Sequence, residues 1–207
     1  MNIWHDIDKK RITPEDFVAV IEIPKGCNQK YELDKATGLL VLDRILHTST
    51  HYPANYGMIP LTYADDGDPL DVLVLCSEAL QPLSLVRVYP IGVITMLDNG
   101  AADEKIIAIP FSDPYYNVYS AISELPAHVF QEMQHFFSVY KQLEHKTTAV
   151  NEVAGREQAV AAVAKAHNLS DGHNCFKSFH IYKIRPETRR KTLQKLFHCV
   201  DALLPDV

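Results

Sequence analysis

Residues 71–110, DVLVLCSEALQPLSLVRVYPIGVITMLDNGAADEKIIAIP, contain three apolar runs that are separated by polar segments. The runs cover residues 71–76, 85–97 and 105–110, and they are rich in Val, Leu and Ile, a composition that is typical of β-strands. Residues 97–104 contain Asn, Gly and acidic residues, and they read as a turn or loop. The stretch therefore predicts three strands, with a loop before the last one.

The chain before this stretch continues the same pattern. Strand-like runs lie at residues 17–24, 30–34 and 39–46, and residues 34–38, DKATG, read as a turn. No helical periodicity interrupts these runs. Short strands that follow one another without helices predict a mainly β fold, an antiparallel barrel or sandwich, and argue against a doubly wound parallel sheet.

Helical patterns appear only after the strands. Residues 123–144 place apolar side chains at helical spacing, with Ser123 as the expected N-cap and Pro126 in the first turn. Residues 155–168 are rich in Ala and predict a second helix. A third, amphipathic helix is predicted from Pro186.

The composition limits the function classes. The 207 residues carry a formal net charge of −6, which argues against a broad nucleic-acid-binding face. No apolar run approaches the roughly 18 residues that a membrane span needs, and the first residues lack the apolar core of a signal peptide. The four cysteines have no CxxC spacing, so neither a disulfide framework nor a zinc ribbon is indicated. We expect a cytoplasmic protein with no nucleic-acid or membrane partner.

An acidic cluster precedes the first of the three strands. Residues 64–75, ADDGDPLDVLVL, carry Asp65, Asp66, Asp68 and Asp71. Close carboxylates repel one another unless a cation binds between them, and an all-oxygen set favours Mg²⁺ or Mn²⁺ over zinc. An EF-hand is excluded because neither possible register places the required Glu at the twelfth position. A solvated acidic turn is the alternative interpretation.

Further charged and phenolic residues accompany this cluster in the strand-rich half. Taken singly, each has an ordinary structural explanation, such as a surface charge, a turn cap or a core aromatic. Together, acids that bind cations and basic or phenolic groups that bind anion oxygens suit a metal–phosphate substrate. The acids are Glu22, Glu32, Asp98 and Asp103, and the other groups are Lys30, Arg44, Tyr52, Tyr56, Lys105, Tyr140 and Lys141.

Several motifs resemble those of the family I soluble inorganic pyrophosphatases of the bacterial type. They are FVAVIEIP, KYELDKATG, HYPANYG, DGDPLDVLV, DNGAADEK and HFFSVYKQLE, which occur in the order and near the spacings of that family. The resemblance covers about residues 12–168. It implies a five-stranded OB-type antiparallel β-barrel with flanking helices, and Mg²⁺-dependent hydrolysis of pyrophosphate to two phosphates.

The resemblance also implies roles for individual residues. Asp68 would act as the general base, and Tyr56 and Lys105 would join it as catalytic residues. The implied ligands of several Mg²⁺ ions, for which Mn²⁺ is a possible substitute, are Glu32, Asp66, Asp71, Asp98 and Asp103. The implied phosphate-binding residues are Lys30, Arg44, Tyr56, Lys105, Tyr140 and Lys141, and the supporting residues are Glu22 and Tyr52.

The resemblance further implies a division of the chain and an assembly. Residues 1–168 would form the catalytic domain, and residues 169–207 would be an extension whose amphipathic helix packs on the body or at a subunit contact. The family implies a homo-oligomer, with a hexamer expected, although Val139 replaces a histidine that bacterial relatives can carry at a subunit contact. His and Cys residues in the extension fit no zinc template.

Three alternatives to a pyrophosphatase remain at this point. A non-enzymatic OB-type binding module with a structural metal site would need a basic groove and exposed stacking aromatics, which the negative charge argues against. An inactive scaffold is disfavoured because the matched acids and bases are intact. Hydrolysis of another phosphoanhydride stays open.

Overall fold

The computed structural model describes residues 3–34, 37–65, 67–98, 101–146 and 148–173, and for residues 98, 101 and 170–173 only the backbone. Residues Met1–Gly172 form one compact unit. The strands are β1 (Ile12–Thr13), β2 (Asp16–Ile23), β3 (Gln29–Leu33), β4 (Leu40–Ile45), β5 (Asn55–Met58), β6 (Asp71–Val74), β7 (Leu85–Asp98), β8 (Ala101–Pro110) and β9 (Thr148–Gly155), and the helices are α1 (Ala127–Val139) and α2 (Arg156–His173).

Five of these strands close into a ring. β2 pairs with β5, β5 with β6, β6 with β8, β8 with β7, and β7 pairs back with β2. Every pairing in the ring is antiparallel except β6–β8, which is parallel. The ring confirms the predicted five-stranded OB-type barrel and adds one parallel pairing that the sequence did not predict. β1 and β9 extend the sheet beyond the ring.

The barrel strands are buried on both faces because each helix covers a different face. Leu73 on β6 and Ile107 on β8 belong to an apolar cluster that also contains Phe137 of α1. Their chain neighbours Val72, Val74, Ile106 and Ala108 belong to a second cluster, which contains Ala159 and Val163 of α2. The alternation along β6 and β8 therefore packs one side of these strands with α1 and the other side with α2.

Two strands lie outside this sheet and form a hairpin of their own. β3 and β4 pair antiparallel, with Lys30 opposite Arg44 and Glu32 opposite Val41. These strands confirm the strand-like runs predicted at residues 30–34 and 39–46. The hairpin matters for function because it carries three of the predicted site residues.

The structure corrects the predictions for residues 97–104 and 123–144. β7 and β8 stay paired as far as Asp98 and Ala101, so residues 97, 98 and 101–104 are strand and not turn or loop, and residues 99 and 100 lie outside the described residues. α1 begins after Pro126, so Ser123 is not its N-cap and lies instead in a 3-10 turn, Ile122–Glu124. The prediction joined this turn, α1 and a second 3-10 turn, Gln142–Glu144, into one helix.

Strands β5 and β9 were not predicted, whereas the second helix was. β5 contains Asn and Gly, which are rare in strands, but the packing requires Gly57, since a Cβ there would stand 1.9 Å from the Val20 carbonyl oxygen. α2 begins one residue after the predicted start and extends past residue 168 to His173. Beyond His173, the predicted extension and its helix from Pro186 lie outside the described residues. No helix in the described part of the chain is long and apolar enough to cross a membrane.

Candidate active site

Strand register brings four predicted site residues together on the barrel. The parallel pairing of β6 with β8 places Asp71 opposite Lys105, and β5 brings Tyr56 alongside. Lys105 Nζ donates hydrogen bonds to Asp71 Oδ2 at 2.6 Å, to Asp103 Oδ1 at 3.0 Å and to Tyr56 Oη at 3.2 Å. We call Tyr56, Asp71, Asp103 and Lys105 the barrel wall of the site.

The charge state of the barrel wall follows from its burial and its pairing. Lys105 is 2% exposed, and burial alone would lower its pKa, but the negative charges of Asp71 and Asp103 outweigh burial and raise it. Burial, together with the charge of Asp71, also raises the pKa of the Tyr56 phenol, which donates a hydrogen bond to Asp71. The wall therefore holds one ammonium, two carboxylates and one neutral phenol.

The donor set of this wall suits a hard divalent cation. The carboxylates of Asp71 and Asp103 converge on one nitrogen atom and, with Asp65 and Glu104, line a small open cleft. Ligands that are all oxygen fit Mg²⁺ or Mn²⁺. Within the described ranges no three His, Cys, Asp or Glu residues already form a metal-binding group, and Lys105 pairs with both carboxylates.

The acidic loop, residues 63–69, forms the rim of the same cleft. The Ala64 amide donates to the Asp68 carbonyl at 2.8 Å, and the Gly67 amide donates to the Ala64 carbonyl at 3.0 Å. Gly67 has a φ of +87°, a left-handed conformation that favours glycine at this tight turn. The loop leaves Asp68 exposed, so water reaches it. Asp66 and the side chain of Asp98 lie outside the described residues.

The β3–β4 hairpin carries a second set of charges, which we call the hairpin wall: Lys30, Glu32, Asp43 and Arg44. Lys30 forms ion pairs with Glu32 and with Asp43, and the distance to Asp43 Oδ2 is 3.1 Å. Asp43 also pairs with Arg44 Nη1. One carboxylate therefore fixes two predicted phosphate-binding cations.

Arg44 has a donor left over for a ligand. Its Nε donates to Glu144 Oε1 at 2.8 Å, and Nη1 is taken by Asp43. Its Nη2 is buried and has no hydrogen-bond partner among the described residues. A buried guanidinium N–H without a partner is costly, and an anionic oxygen would satisfy it.

Sequence reasoning missed Asp43 and Glu144, although both hold predicted site residues in place. Asp43 stands beside Arg44 in an otherwise apolar run, and a charged pair within a strand was a usable signal. Glu144 was part of a predicted helix, and it meets Arg44 from 100 positions away in the chain. No local pattern could have found that contact.

Aromatic and lysine side chains at the end of α1 close one side of the site. Tyr52 is buried against Tyr56 and Phe136, with ring centroids 5.3 and 4.8 Å apart, and burial raises its pKa. Lys141 is buried with its Nζ 5.1 Å from the centroid of the Tyr140 ring. The structure therefore brings these three predicted residues to the same place, with Tyr52 packed on the barrel wall.

Glu22 on β2 links the two walls. It is buried, and its Oε1 accepts a hydrogen bond from the Leu33 amide at 2.7 Å. Burial raises the pKa of Glu22, the Leu33 hydrogen bond lowers it, and the charges of Asp71 and Glu32 add to the increase, so that the pKa lies at about 7. Asp71 of the barrel wall and Glu32 of the hairpin wall therefore both lie close enough to Glu22 for their charges to act on it.

Comparison with known proteins agrees with this geometry. Residues 19–171 match the inorganic pyrophosphatase family. Soluble inorganic pyrophosphatase 2 of Chlamydomonas reinhardtii is 46% identical over 170 residues, which cover 82% of this chain and 88% of the algal protein. The soluble inorganic pyrophosphatase of Oryza sativa subsp. japonica is 46% identical over 166 residues, 80% of this chain and 78% of the rice protein.

Solved structures of bacterial enzymes have the same fold. The inorganic pyrophosphatase of Thermus thermophilus superposes with a TM-score of 0.79 at 36% identity, covering 83% of this chain and all of that chain. The inorganic pyrophosphatase of Helicobacter pylori superposes with a TM-score of 0.77 at 39% identity, covering 81% of this chain and 99% of that chain. The chain belongs to the inorganic pyrophosphatase family.

Proposed function

We propose that the protein hydrolyses inorganic pyrophosphate to two phosphates in a reaction that depends on Mg²⁺. The observation that carries this proposal is that two carboxylates converge on the buried Lys105 while Arg44, on the neighbouring hairpin, has a buried Nη2 without a hydrogen-bond partner among the described residues. A space bordered by metal-binding acids on one wall and anion-binding cations on the other suits a small, highly charged phosphate.

We propose that acids from both walls hold the metal. Asp71 and Asp103 would do so from the barrel wall and Glu32 from the hairpin wall, with Asp66 and Asp98 completing the set. When bound, Mg²⁺ supplies charge neutralisation of the substrate and a lowered pKa for water. Lys105 already bridges Asp71 and Asp103, which supports this proposal because it marks the position where a cation is stabilised.

We propose that Asp68 takes the proton from the attacking water. Its carboxylate is exposed at the rim of the cleft, where a water molecule can reach it. The phosphates would accept hydrogen bonds from both walls and from the end of α1, which spreads the negative charge of the transition state over several donors. Those donors are Lys30, Arg44, Tyr56, Lys105, Tyr140 and Lys141.

Glu22 and Tyr52 support these groups and do not act on the substrate themselves. Glu22 accepts a hydrogen bond from the backbone of Leu33 and so ties the hairpin to β2. Tyr52 packs between Tyr56 and Phe136 and so fixes the phenol of Tyr56. Both therefore hold the spacing between the walls.

Phosphate release by the purified protein tests the proposal. Pyrophosphate, ATP and a short polyphosphate are offered in turn with Mg²⁺, with Mn²⁺ and with EDTA. We expect metal-dependent release from pyrophosphate and little from the others. Release from ATP at a similar rate would move the proposal to another phosphoanhydride. No release from pyrophosphate by the folded, Mg²⁺-loaded protein would contradict it.

A homo-oligomer is also proposed, with a hexamer as the expected form. Leu39, Val41, Leu42 and Ile45 of the hairpin region are each at least 45% exposed, and a group of exposed apolar side chains favours a subunit contact. Light scattering on the full chain measures the assembly. A cytoplasmic location, without nucleic-acid or membrane partners, stays a prediction from the sequence.

A further inference from the structure

The acidic loop is closed at its neck by hydrogen bonds that do not involve α2. The Leu70 amide donates to Thr62 Oγ1 at 2.9 Å, and Thr62 Oγ1 donates to the Ile59 carbonyl at 2.6 Å. The Ile59 amide donates to the Leu70 carbonyl at 2.9 Å. These bonds fix where the loop leaves and rejoins the barrel, and the hydrogen bonds of the Ala64 and Gly67 amides fold its tip, but neither set ties the loop to α2.

One turn of α2 supplies two contacts to the loop. Lys165 Nζ donates to Asp65 Oδ2 at 2.8 Å, and the Tyr63 amide donates to the Ala166 carbonyl at 2.9 Å. The helix itself is fixed, because Ala159, Val163 and Ala166 are buried against the barrel. The acidic loop is therefore attached to α2, a helix that is packed against the barrel.

The residue that Lys165 holds lines the metal cleft. Asp65 borders it together with Asp71, Asp103 and Glu104. In the chain, Asp65 lies between the Tyr63 contact and Asp68, the expected general base. Ordering a loop residue costs about 1–2 kcal/mol of backbone entropy, so a loop that is ordered before the ion arrives binds it more tightly.

Lys165 could act on the metal in two ways that have opposite signs. Its ammonium lies near Asp65 and Glu104, so as a mere positive charge it repels Mg²⁺, and its removal would tighten binding. As a tether of the loop it favours binding, and its removal would weaken it. The Lys165 and Asp65 side chains are each 55% exposed, so their pairing contributes little to folding in either case.

We propose that Lys165 is a positioning residue for Mg²⁺ binding: through Asp65 it holds the acidic loop in the shape that receives the ion. This inference rests on the proposed function, since it concerns the same cleft. It gives α2 a role in metal affinity in addition to the ligands that the barrel wall and the hairpin wall provide.

Calorimetric titration with Mg²⁺ alone, without substrate, tests the inference in the full-length protein. We expect Lys165→Met to weaken Mg²⁺ binding about threefold to tenfold. This effect is larger than that of breaking an exposed ion pair with no role in the loop, and smaller than that of removing a residue that is hydrogen-bonded to a metal ligand. Lys165→Arg should restore the affinity to within about twofold, because it keeps a cation for Asp65. In phosphate-release assays the Mg²⁺ concentration for half-maximal rate should rise, while kcat at saturating Mg²⁺ stays within about twofold.

Two further variants keep the test decisive. Arg87→Met is the matched control, since it also removes one surface cation and one ion pair, with Asp16, away from the cleft. Its Mg²⁺ affinity should equal that of the wild type. Asp65→Asn removes the other half of the Lys165 pair, and the double variant with Lys165→Met should lose no more than either single variant.

Unchanged or tighter Mg²⁺ binding by a folded Lys165→Met protein overturns the inference. If that variant does not fold, Lys165→Gln, which removes the same charge and keeps a polar side chain, decides in the same way. A wild-type protein that neither binds Mg²⁺ nor hydrolyses pyrophosphate contradicts the proposed function instead, so the two failures are distinguishable.

Discussion

The barrel wall holds its charges in a buried network, whereas the hairpin wall holds its charges in more exposed ion pairs. The side chain of Lys105 is 3% exposed and those of its partners Asp71 and Asp103 are 28% and 15% exposed. On the hairpin, Lys30 is 18% exposed and Glu32 is 58% exposed. We therefore expect the loss of a positive charge to reduce the stability of the protein more on the barrel wall than on the hairpin wall.

This difference in burial predicts which variants should change the stability of the protein and which should change only ligand binding. Breaking a buried charge network leaves charges without partners, which costs stability until another ion compensates. Breaking an exposed pair costs little stability. Changes on the barrel wall should therefore alter ligand binding and folding together, and changes on the hairpin wall should alter the binding of metal or substrate with little effect on folding.

The largest expected effect comes from the acidic loop beside the barrel wall. Asp68→Asn keeps the shape of the side chain and removes the general base, which contributes roughly 10²- to 10⁴-fold to such a reaction. We expect kcat to fall by about that factor, with an unchanged melting temperature. Steady-state phosphate release and thermal unfolding measure both. Near-normal turnover at saturating Mg²⁺ would show that Asp68 is not the base.

The comparison between the walls is tested most sharply at Lys105. Lys105→Met leaves Asp71 and Asp103 without their shared cation, so we expect the metal-free protein to lose about 1–3 kcal/mol of unfolding free energy. Mg²⁺ should restore more stability to this variant than to the wild type, although activity stays at least about 100-fold reduced.

Lys30→Met on the hairpin wall is the matched control for that experiment. It also removes a lysine that is paired with two carboxylates, but at a more exposed place. Chemical denaturation with and without Mg²⁺ compares the two variants. Equal losses of metal-free stability in both would contradict the distinction between the walls.

A smaller effect is expected for Arg44→Lys on the hairpin wall. A lysine has a single side-chain nitrogen, so it cannot maintain the ion pairs with Glu144 and Asp43 and also donate a further hydrogen bond to phosphate. We expect the KM for pyrophosphate to rise about tenfold, with kcat and the melting temperature nearly unchanged. A KM equal to that of the wild type would remove Arg44 from the phosphate-binding set.

The smallest effect on activity is expected at Asp113, which belongs to neither wall. It is 4% exposed and accepts hydrogen bonds from the Ser77 and Tyr115 amides at 2.7 and 2.9 Å. Burial raises its pKa, but these hydrogen bonds outweigh burial and the pKa lies below its ordinary value. Its contribution is therefore fully present above about pH 4 and is lost as the pH falls through the lowered value.

Asp113→Asn should accordingly reduce the unfolding free energy by about 1–2 kcal/mol at pH 7 and by less near pH 3, without changing kcat or KM. Urea unfolding at both pH values measures the difference. An equal loss at both values would mean that the carboxylate charge is not what stabilises this turn.

Much of the fold could be predicted from short-range patterns. The runs that became β2, β3, β4, β6, β7 and β8 were recognised because strand formers repeat there between turn residues. β5 was missed because tertiary packing, the approach of Gly57 to Val20, overrides its poor strand composition. Residues 97–104 were predicted as a turn or loop because Asn, Gly and acidic residues are typical of such segments, although β7 and β8 extend to Asp98 and Ala101.

The candidate site could be predicted in its residue types but not in its connections. The acidic cluster indicated a hard cation, and the remaining residues were named from the family resemblance. The pairing of Arg44 with Glu144, of Lys165 with Asp65, and of Lys105 with both Asp71 and Asp103 depends on strand register and helix placement, which no local pattern encodes.

The most direct test of the central claim is to locate Mn²⁺ by anomalous scattering in crystals of the protein soaked with that ion. The account predicts a peak within about 2.5 Å of carboxylate oxygens of Asp71 and Asp103, with Lys105 turned away from at least one of them. Crystals that contain Mn²⁺ elsewhere, with both carboxylates still bound to Lys105 Nζ, would contradict it.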